Sequence, residues 1–398
     1  MEKVCITGIG AISAIGFSVN EQIDALRAGR NGLGHAKHFQ SVYAKQLHFG
    51  EIDLSDEALR ERVGNLEAPD LTRTSLIAIH AFQEAVIHAQ LNQEILSSRR
   101  TGFISSSTVG GMCYTDHLYN DANNKEMASQ FVKSYEGSDH TLQIVRLFNI
   151  KGFTDTINTA CSSSANAILL GCQLINAGKL DRVIVGGADC LAKYTVNGFN
   201  SLRILSENQC APFDANRDGL NLGEAGAYLV LEKVSVVGDK PVLGYVSGWG
   251  NVNDAFHPSA TSDEARGPLL AMNTALKVAG LSPNAIDYIN AHGTGTQNND
   301  QTESFAFQQL FDKVPPYNST KSYTGHTLAA AGALEAIFTL SSLMHQELYP
   351  SLQIKETISD FEFQPINSFQ KGVALKHAQS NSFGFGGNCT SLILSACL

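Results

Sequence analysis

The sequence lacks the features that mark several classes of protein. It contains no Cys-x-x-Cys pair among its eight cysteines, no low-complexity segment and no long linker. These absences argue against a structural zinc site and a disulfide framework, and they favour a reducing, cytoplasmic setting. We also find no signal-type segment at the start and no apolar run long enough to span a bilayer, so we expect neither export nor a membrane partner.

Positive charge is also scarce. The 28 lysines and arginines are outnumbered by 38 aspartates and glutamates, which gives a formal net charge of −10. Because phosphate binding needs a concentrated basic surface, this balance argues against a nucleic-acid partner. An acidic protein partner could still dock on a local basic patch.

The sequence does have the composition of a globular α/β protein. It has 398 residues, of which 43% are hydrophobic, enough to bury a large core. Short apolar runs alternate with longer helical patterns, which is typical of layered α/β architecture. We predict helices over residues 75–90 and 165–177, and strands over residues 4–9, 101–105, 182–185, 227–231, 242–246, 286–290 and 391–394.

Two halves of the chain have similar organisation. The apolar pattern lapses at residues 233–240, which suggests a division into residues 1–235 and 236–398. In the first half an extended run leads to Cys161 at a helix start, and in the second a loop leads to His326 at a helix start. Each half also ends in a strand preceded by glycines. Duplication explains this pattern, and packing of the two halves would bring Cys161 and His326 into one pocket.

Cys161 has the surroundings of a nucleophile. It follows Asn158-Thr159-Ala160 and precedes Ser162-Ser163-Ser164, where an extended run gives way to a helix. Unpaired N–H groups and the positive end of the helix dipole favour the thiolate, and small neighbours leave room for an acyl group. A lone cysteine is more often a buried apolar residue, so other motifs must support this interpretation.

Three motifs in the second half could complete a site around Cys161. In the first, His292 is followed by alternating glycines and threonines, which suits a hydrogen-bond donor beside a polar groove. In the second, His326 lies five residues after Lys321. The third is Asn381-Ser382-Phe383-Gly384-Phe385-Gly386-Gly387, whose glycines let backbone N–H groups approach a ligand closely.

In this order, the motifs resemble those of the β-ketoacyl-acyl-carrier-protein synthases, the type I/II condensing enzymes. The resemblance begins at residues 4–10 and extends through Pro212 to Gly219, Asp300, Glu303 and the C-terminal glycine loop. It implies a thiolase fold, with two pseudo-repeated halves in a five-layer αβαβα arrangement. It also implies decarboxylative Claisen condensation of an acyl thioester with a malonyl thioester, in fatty-acid or in specialised polyketide or polyene biosynthesis.

The resemblance assigns a role to each candidate residue. Cys161 would carry the acyl group, and its backbone N–H with that of Phe385 would form the oxyanion hole, with Phe385 also gating the site. Neutral His292 and His326 would stabilise the enolate, supported by Lys321 and Glu335. Further assignments place Thr294 and Thr296 on the pantetheine arm, Thr108 and Val109 on the acyl pocket, and Arg203 on the carrier protein. No redox cofactor and no metal is expected.

Alternatives remain open at this point. A thiolase-like acyl-CoA acyltransferase would need a second catalytic cysteine near the C-terminus, where Cys389 lies close to the glycine loop. The initiating condensing enzymes would have asparagine in place of His326, and a chain-length factor would lack the nucleophile. The resemblance implies a dimer that pairs through residues 152–159, either a homodimer or a ketosynthase subunit joined to a chain-length factor.

The sequence departs from the family pattern at four places. Asn388-Cys389-Thr390 stands where Thr-Asn-Ala is usual, so the bonds that anchor the glycine loop could differ. Ala329 and Thr108 each replace a common glycine, and Thr108 suggests an acyl pocket shaped for an unusual chain. Residues 64–70 are acidic where a carrier-docking patch is often basic.

Overall fold

A mixed β-sheet organises the molecule. The computed structural model describes residues 3–397 except 65, 67 and 130. Its strands are β1 (Val4–Ser13), β2 (Thr101–Ser106), β3 (Thr154–Ile157), β4 (Arg182–Asp189), β5 (Ala225–Lys233), β6 (Gly244–Asn253), β7 (Tyr288–Asn290), β8 (Tyr317–Asn318), β9 (Glu347–Leu348), β10 (Gln370–Lys371), β11 (His377–Gly384) and β12 (Asn388–Ala396).

Helices occupy most of the connections between these strands. They are α1 (Val19–Arg27), α2 (Asp56–Arg62), α3 (Arg73–His88), α4 (Gln93–Leu96), α5 (Thr115–Asn124), α6 (Asp139–Leu147), α7 (Ser163–Asn176), α8 (Lys193–Ser201), α9 (Val234–Val237), α10 (Arg266–Ala279), α11 (Gln297–Leu310), α12 (Lys321–Thr324) and α13 (Ala331–His345).

The strand order repeats in the two halves of the sheet. The order is β3-β2-β4-β5-β1 followed by β6-β12-β11-β7-β8, and β9 pairs with β10 in a separate two-stranded sheet. Each half contributes five strands to the large sheet, and from its outer edge inward the third, second, fourth, fifth and first of them lie side by side. In both halves the third, second and fourth strands are parallel and the other neighbours antiparallel. The halves join where β1 pairs with β6. This symmetry supports the proposed division near residue 235.

Five layers result from the packing of helices on this sheet. Helices α7 and α13 contact each other between the two halves, α3 covers the outer face of the first half, and α10 covers that of the second. Ile168 of α7, Ile337 of α13 and Leu392 of β12 share one buried apolar cluster at the centre. The layered α/β class predicted from the sequence is therefore confirmed.

The predicted strands are correct in place and most are too short, but the run predicted at residues 286–290 begins two residues before β7. The run predicted at residues 4–9 extends to Ser13, and the one at 242–246 is β6, which reaches Asn253. β3 lies within the extended segment predicted at residues 152–159, whereas β8, β9, β10 and β11 were not predicted, and β11 is the instructive case. Its residues are largely polar, yet most are buried because β7 and β12 pair with its two edges. Tertiary pairing rather than apolar pattern makes this segment a strand.

One helical stretch has the length and apolar character of a membrane span. Among the described residues, Leu328–His345 passes that test with a mean hydropathy of 1.3, contrary to the expectation that no run is long enough. It is 89% buried within the fold. This stretch is thus a core helix, and burial on nearly all sides explains its high hydropathy.

Candidate active site

Cys161 lies in a strained turn directly before α7. Ala160 has a φ of +53°, a left-handed conformation that costs energy in a residue other than glycine. The backbone N–H groups of Cys161 and Phe385 interact with the Cys161 sulfur and lower the pKa of its thiol. Two backbone donors therefore converge where the sequence analysis placed an oxyanion hole.

The resting protonation state of Cys161 differs from the expected thiolate. Burial raises the pKa of the thiol to about 11, although Lys321 and the two backbone N–H groups act in the opposite direction. The side chain is only 6% exposed, so the cost of desolvating a thiolate exceeds the stabilisation at the helix start. At neutral pH the resting group is a thiol.

This protonation state predicts the pH dependence of Cys161 alkylation. Since only the thiolate reacts and the pKa is about 11, the rate with iodoacetamide should rise about tenfold per pH unit from about pH 7 to about pH 10. Peptide mass spectrometry can follow Cys161 separately, with the exposed Cys397 as an internal reference. A rate that levels off below about pH 8 would contradict the assignment and show a stabilised thiolate.

Two histidines from the second half lie beside this sulfur. His292 follows β7, and its loop is fixed because Glu303 accepts the N–H groups of His292 and Gly293 at 2.9 and 2.8 Å. The His326 N–H donates to the Asn221 carbonyl at 2.7 Å. The Cys161 sulfur and one ring nitrogen of each histidine all lie within 4.8 Å of one another. The predicted convergence of the two halves is therefore seen in the structure.

The hydrogen bonds of the two rings identify the nitrogen that carries the proton. The Leu328 N–H donates to His326 Nδ1 at 3.0 Å, and Lys321 Nζ lies 3.3 Å from His292 Nδ1. Because each Nδ1 accepts, each Nε2 bears hydrogen when the ring is neutral. Burial is the main reason why the pKa of both histidines is well below its usual value, and the positive charge of Lys321 lowers it further. Both rings are therefore neutral hydrogen-bond donors.

The same three groups form a donor set that could hold a soft divalent cation such as zinc. A metal on Nε2 would require each ring to carry its proton on Nδ1 instead. That nitrogen already accepts from the Leu328 N–H in His326 and faces Lys321 in His292. The local bonds and the lysine charge therefore oppose metal binding and favour the hydrogen-bonding role.

Lys321 and Glu335 form a buried ion pair behind the histidines. Lys321 contacts Glu335 directly and also donates to the His292 carbonyl at 2.6 Å. Burial raises the pKa of Glu335 to about 7, and Lys321 opposes that rise. The pair fixes the His292 segment and lies behind the ring rather than in the open cavity.

The glycine loop after β11 is anchored by Asn388, one of the departures from the family pattern. The Asn388 side-chain oxygen accepts from Ser162 Oγ at 2.7 Å, Asn251 Nδ2 at 2.8 Å and Asn166 Nδ2 at 3.0 Å. A Cβ on Gly384 would lie 2.8 Å from the Thr159 carbonyl oxygen, so only glycine permits this approach. The altered sequence thus ties the Phe385 loop to the start of α7.

A cavity of about 320 Å³ leads from the surface to Cys161. Thr294 and Thr296 line it, with their hydroxyl oxygens 2.9 Å apart, and the exposed Arg203 lies at its edge. We call it the entrance cavity. Cys389 also lines it, but burial raises the pKa of that thiol, and Cys389 is not part of the group formed by Cys161 and the two histidines.

A second cavity, of about 640 Å³, begins on the other side of Cys161. We call it the acyl cavity. Thr108, Met112 and Leu328 line it, whereas Val109 is buried and is not among the lining residues of the described chain. Phe199 and Phe385 line both cavities and stack with ring centroids 5.6 Å apart. Cys161 therefore lies at the junction of two cavities.

Sequence reasoning missed some residues of this site. Phe199 and Asp189 were not singled out. Asp189 accepts the N–H groups of Thr108 and Val109 at 3.0 and 2.9 Å. Its signal was present in the sequence, since an acidic residue at the end of an apolar strand must find donors when buried.

Comparisons with known proteins agree with this geometry. Residues 1–236 match the beta-ketoacyl synthase N-terminal domain, and residues 243–355 match the beta-ketoacyl synthase C-terminal domain. A 3-oxoacyl-(acyl-carrier-protein) synthase 2 of Staphylococcus aureus is 29% identical over 98% of this chain and 98% of its own length.

Two solved structures extend the comparison to three dimensions. The ishigamide ketosynthase/chain length factor has a TM-score of 0.93 at 29% identity, with 99% of each chain covered. A ketosynthase solved in complex with its chain length factor from Xenorhabdus doucetiae has a TM-score of 0.86 at 31% identity, with 100% of this chain and 98% of that chain covered.

Proposed function

Because this chain belongs to the β-ketoacyl synthase family, we propose that it joins an acyl group held on Cys161 to a malonyl unit carried by an acyl carrier protein. The reaction is a decarboxylative Claisen condensation, and the enzyme is an acyltransferase. The observation that carries the proposal is the cluster of Cys161 with two neutral histidines at the junction of two cavities.

The first stage transfers the acyl group to the enzyme. The Cys161 sulfur attacks the thioester carbonyl, a carbon–sulfur bond forms, and the pantetheine thiol of the carrier leaves with the thiol proton. The N–H groups of Cys161 and Phe385, which lower the pKa of this thiol, would donate hydrogen bonds to the oxyanion. The acyl chain then occupies the acyl cavity.

The second stage forms the new carbon–carbon bond. The malonyl thioester loses carbon dioxide, and the electron pair of the broken bond becomes an enolate. The Nε2–H groups of His292 and His326 donate hydrogen bonds to the enolate oxygen. The enolate carbon attacks the acyl carbonyl, the bond to sulfur breaks, and the Cys161 thiolate that leaves takes up a proton from solvent. These steps need neither a redox cofactor nor a metal.

Substrate features follow from the walls of the two cavities. Thr294 and Thr296, which line the entrance cavity, would contact the polar pantetheine arm, and Arg203 at its edge would contact an acidic carrier protein. Thr108 lies on the wall of the acyl cavity where glycine is common. We infer a pocket suited to a specialised polyketide or polyene chain, with ordinary fatty-acid elongation as the alternative.

The partner of this chain is proposed to be a second thiolase-fold subunit. β3 is an edge strand that pairs only with β2 within the described chain, so its other edge is open to a strand from a partner. A homodimer is the simplest arrangement, and the two related structures solved with chain length factors support a heterodimer as the variant. Light scattering that finds a stable monomer would contradict both arrangements.

A cytoplasmic location is proposed as well. No disulfide is formed among the eight cysteines in the described part of the chain, which suits a reducing compartment.

Intact-protein mass spectrometry with a panel of acyl carrier proteins tests the function. We expect an acyl adduct that maps to Cys161, and its conversion to a β-ketoacyl product once malonyl carrier is added. Saturated and polyunsaturated acyl chains of equal length form matched substrates within the panel. Equal turnover of the two would contradict the specialised pocket, and an absence of adduct with every carrier would contradict the function.

A further inference from the structure

We propose that Asp189 is a positioning residue that joins the wall of the acyl cavity to the turn that orients His326, so that an acyl chain in the cavity accelerates decarboxylation at His326. This inference rests on the proposed function. It adds a connection between the acyl chain, which lies in the acyl cavity, and the malonyl thioester, which enters through the entrance cavity.

Asp189 holds the acyl-cavity wall through several donors at once. One carboxylate oxygen accepts from Ser107 Oγ at 2.5 Å and from the Val109 N–H at 2.9 Å. The other accepts from Thr108 Oγ1 at 2.6 Å, and the Thr108 N–H also donates to this carboxylate. Thr108 also lines the acyl cavity, so its bond to Asp189 ties the cavity wall to this carboxylate.

The same carboxylate reaches the second half of the molecule. The Ala329 N–H donates to Asp189 at 2.9 Å, although the two residues are 140 positions apart. Ala329 lies in a short turn, Leu328–Ala330, that directly follows the His326 loop. Asp189 therefore bridges the Thr108 segment and the His326 turn with one rigid group.

Leu328 completes the connection. Its side chain lines the acyl cavity, and its N–H donates to His326 Nδ1 at 3.0 Å. Leu328 has a φ of +54°, which a branched residue adopts only where its surroundings hold it. The bond from Ala329 to Asp189 is one such restraint. Any displacement of Leu328 by an acyl chain thus changes the direction in which the His326 Nε2–H donates its hydrogen bond.

The chemistry of a carboxylate explains why aspartate is needed here. The hydroxyl and N–H groups named above all donate to the Asp189 carboxylate, and the residue is fully buried. In asparagine an NH₂ group would replace one of the two carboxylate oxygens, and it would face the donors that now bond to that oxygen. The hydroxyls of Ser107 and Thr108 can rotate, but a backbone N–H cannot, so Val109 or Ala329 would lose its acceptor. Asp189→Asn should loosen one end of the bridge while preserving the shape of the side chain.

Carbon dioxide release in a single turnover tests the proposal. Decarboxylation of malonyl carrier is measured with Cys161 unacylated and with Cys161 acylated by a long chain, and the ratio of the two rates is the coupling. We expect a ratio of about 5 or more in the unaltered enzyme, falling to within about twofold of 1 in Asp189→Asn. A ratio unchanged in that variant, with both rates lowered equally, would overturn the proposal.

A matched pair at Thr108 keeps the test decisive if Asp189→Asn does not fold. Thr108→Val preserves the shape but removes the hydroxyl bond to Asp189, whereas Thr108→Ser retains the hydroxyl. We expect the valine variant to lower the ratio and the serine variant to preserve it; equal ratios in the two would overturn the proposal. Failure of the unaltered enzyme to form an acyl adduct would instead contradict the proposed function.

Discussion

Cys161→Ala should abolish acyl-enzyme formation and lower condensation by at least about 10³-fold, because it removes the thiol that lies beside the two histidines. In the described structure, Cys161 is the thiol that groups with His292 and His326. Intact-protein mass spectrometry after incubation with acyl carrier measures the adduct, and product analysis after addition of malonyl carrier measures condensation.

Cys172→Ala provides the matched control. Cys172 is a fully buried cysteine on α7, the helix that begins just after Cys161, and it lines neither cavity. The control makes the same chemical change at a nearby buried position and should retain both the adduct and the condensation. Normal condensation by Cys161→Ala would refute the nucleophile assignment, and an adduct on Cys389 would favour a thiolase-like reaction.

Replacement of either histidine by alanine should slow malonyl decarboxylation by about 10²–10³-fold, the usual effect of removing one oxyanion donor. Both rings are neutral, and their Nε2–H groups are directed by bonds at Nδ1. Acyl transfer to Cys161 depends on backbone donors instead, so it should change much less. Carbon dioxide release and acyl-adduct formation, measured separately, distinguish the two stages.

Two further variants control this experiment. His326→Gln retains an N–H donor on a side chain of similar reach and should recover part of the decarboxylation rate. His345→Ala removes an exposed histidine at the far end of α13 and should leave both stages unchanged. Acyl transfer reduced more than decarboxylation would show that the roles of the two stages are wrongly divided.

Short-range features were predictable because local physics determines them. The alternation of apolar runs and helical patterns predicted the layered α/β class, and the ordered motifs around Cys161, His292 and His326 predicted the family, which the comparisons confirm. Glycines in the 384–387 loop indicated a close backbone approach, and Gly384 does lie against Thr159. Such signals depend on a residue and its immediate neighbours.

Long-range features were not predictable in this way. β11 is a strand because two other strands pair with it, and its polar sequence gives no apolar signal. The Cys161 pKa was misjudged because the helix start is visible in the sequence, whereas the burial that raises the pKa is produced by the packing of the two halves. Burial of an ionisable group depends on the whole fold, so it could not be read from one segment.

The sequence by itself determined which groups react, since their residue types and local turns are encoded within a few positions. Only the tertiary structure decided how those groups are protonated and connected. Asp189 bonds to Ala329, 140 positions away, and Asn388 bonds to Ser162, 226 positions away. Hydrogen bonds between segments so far apart depend on how the two halves pack against each other, and no local pattern records them.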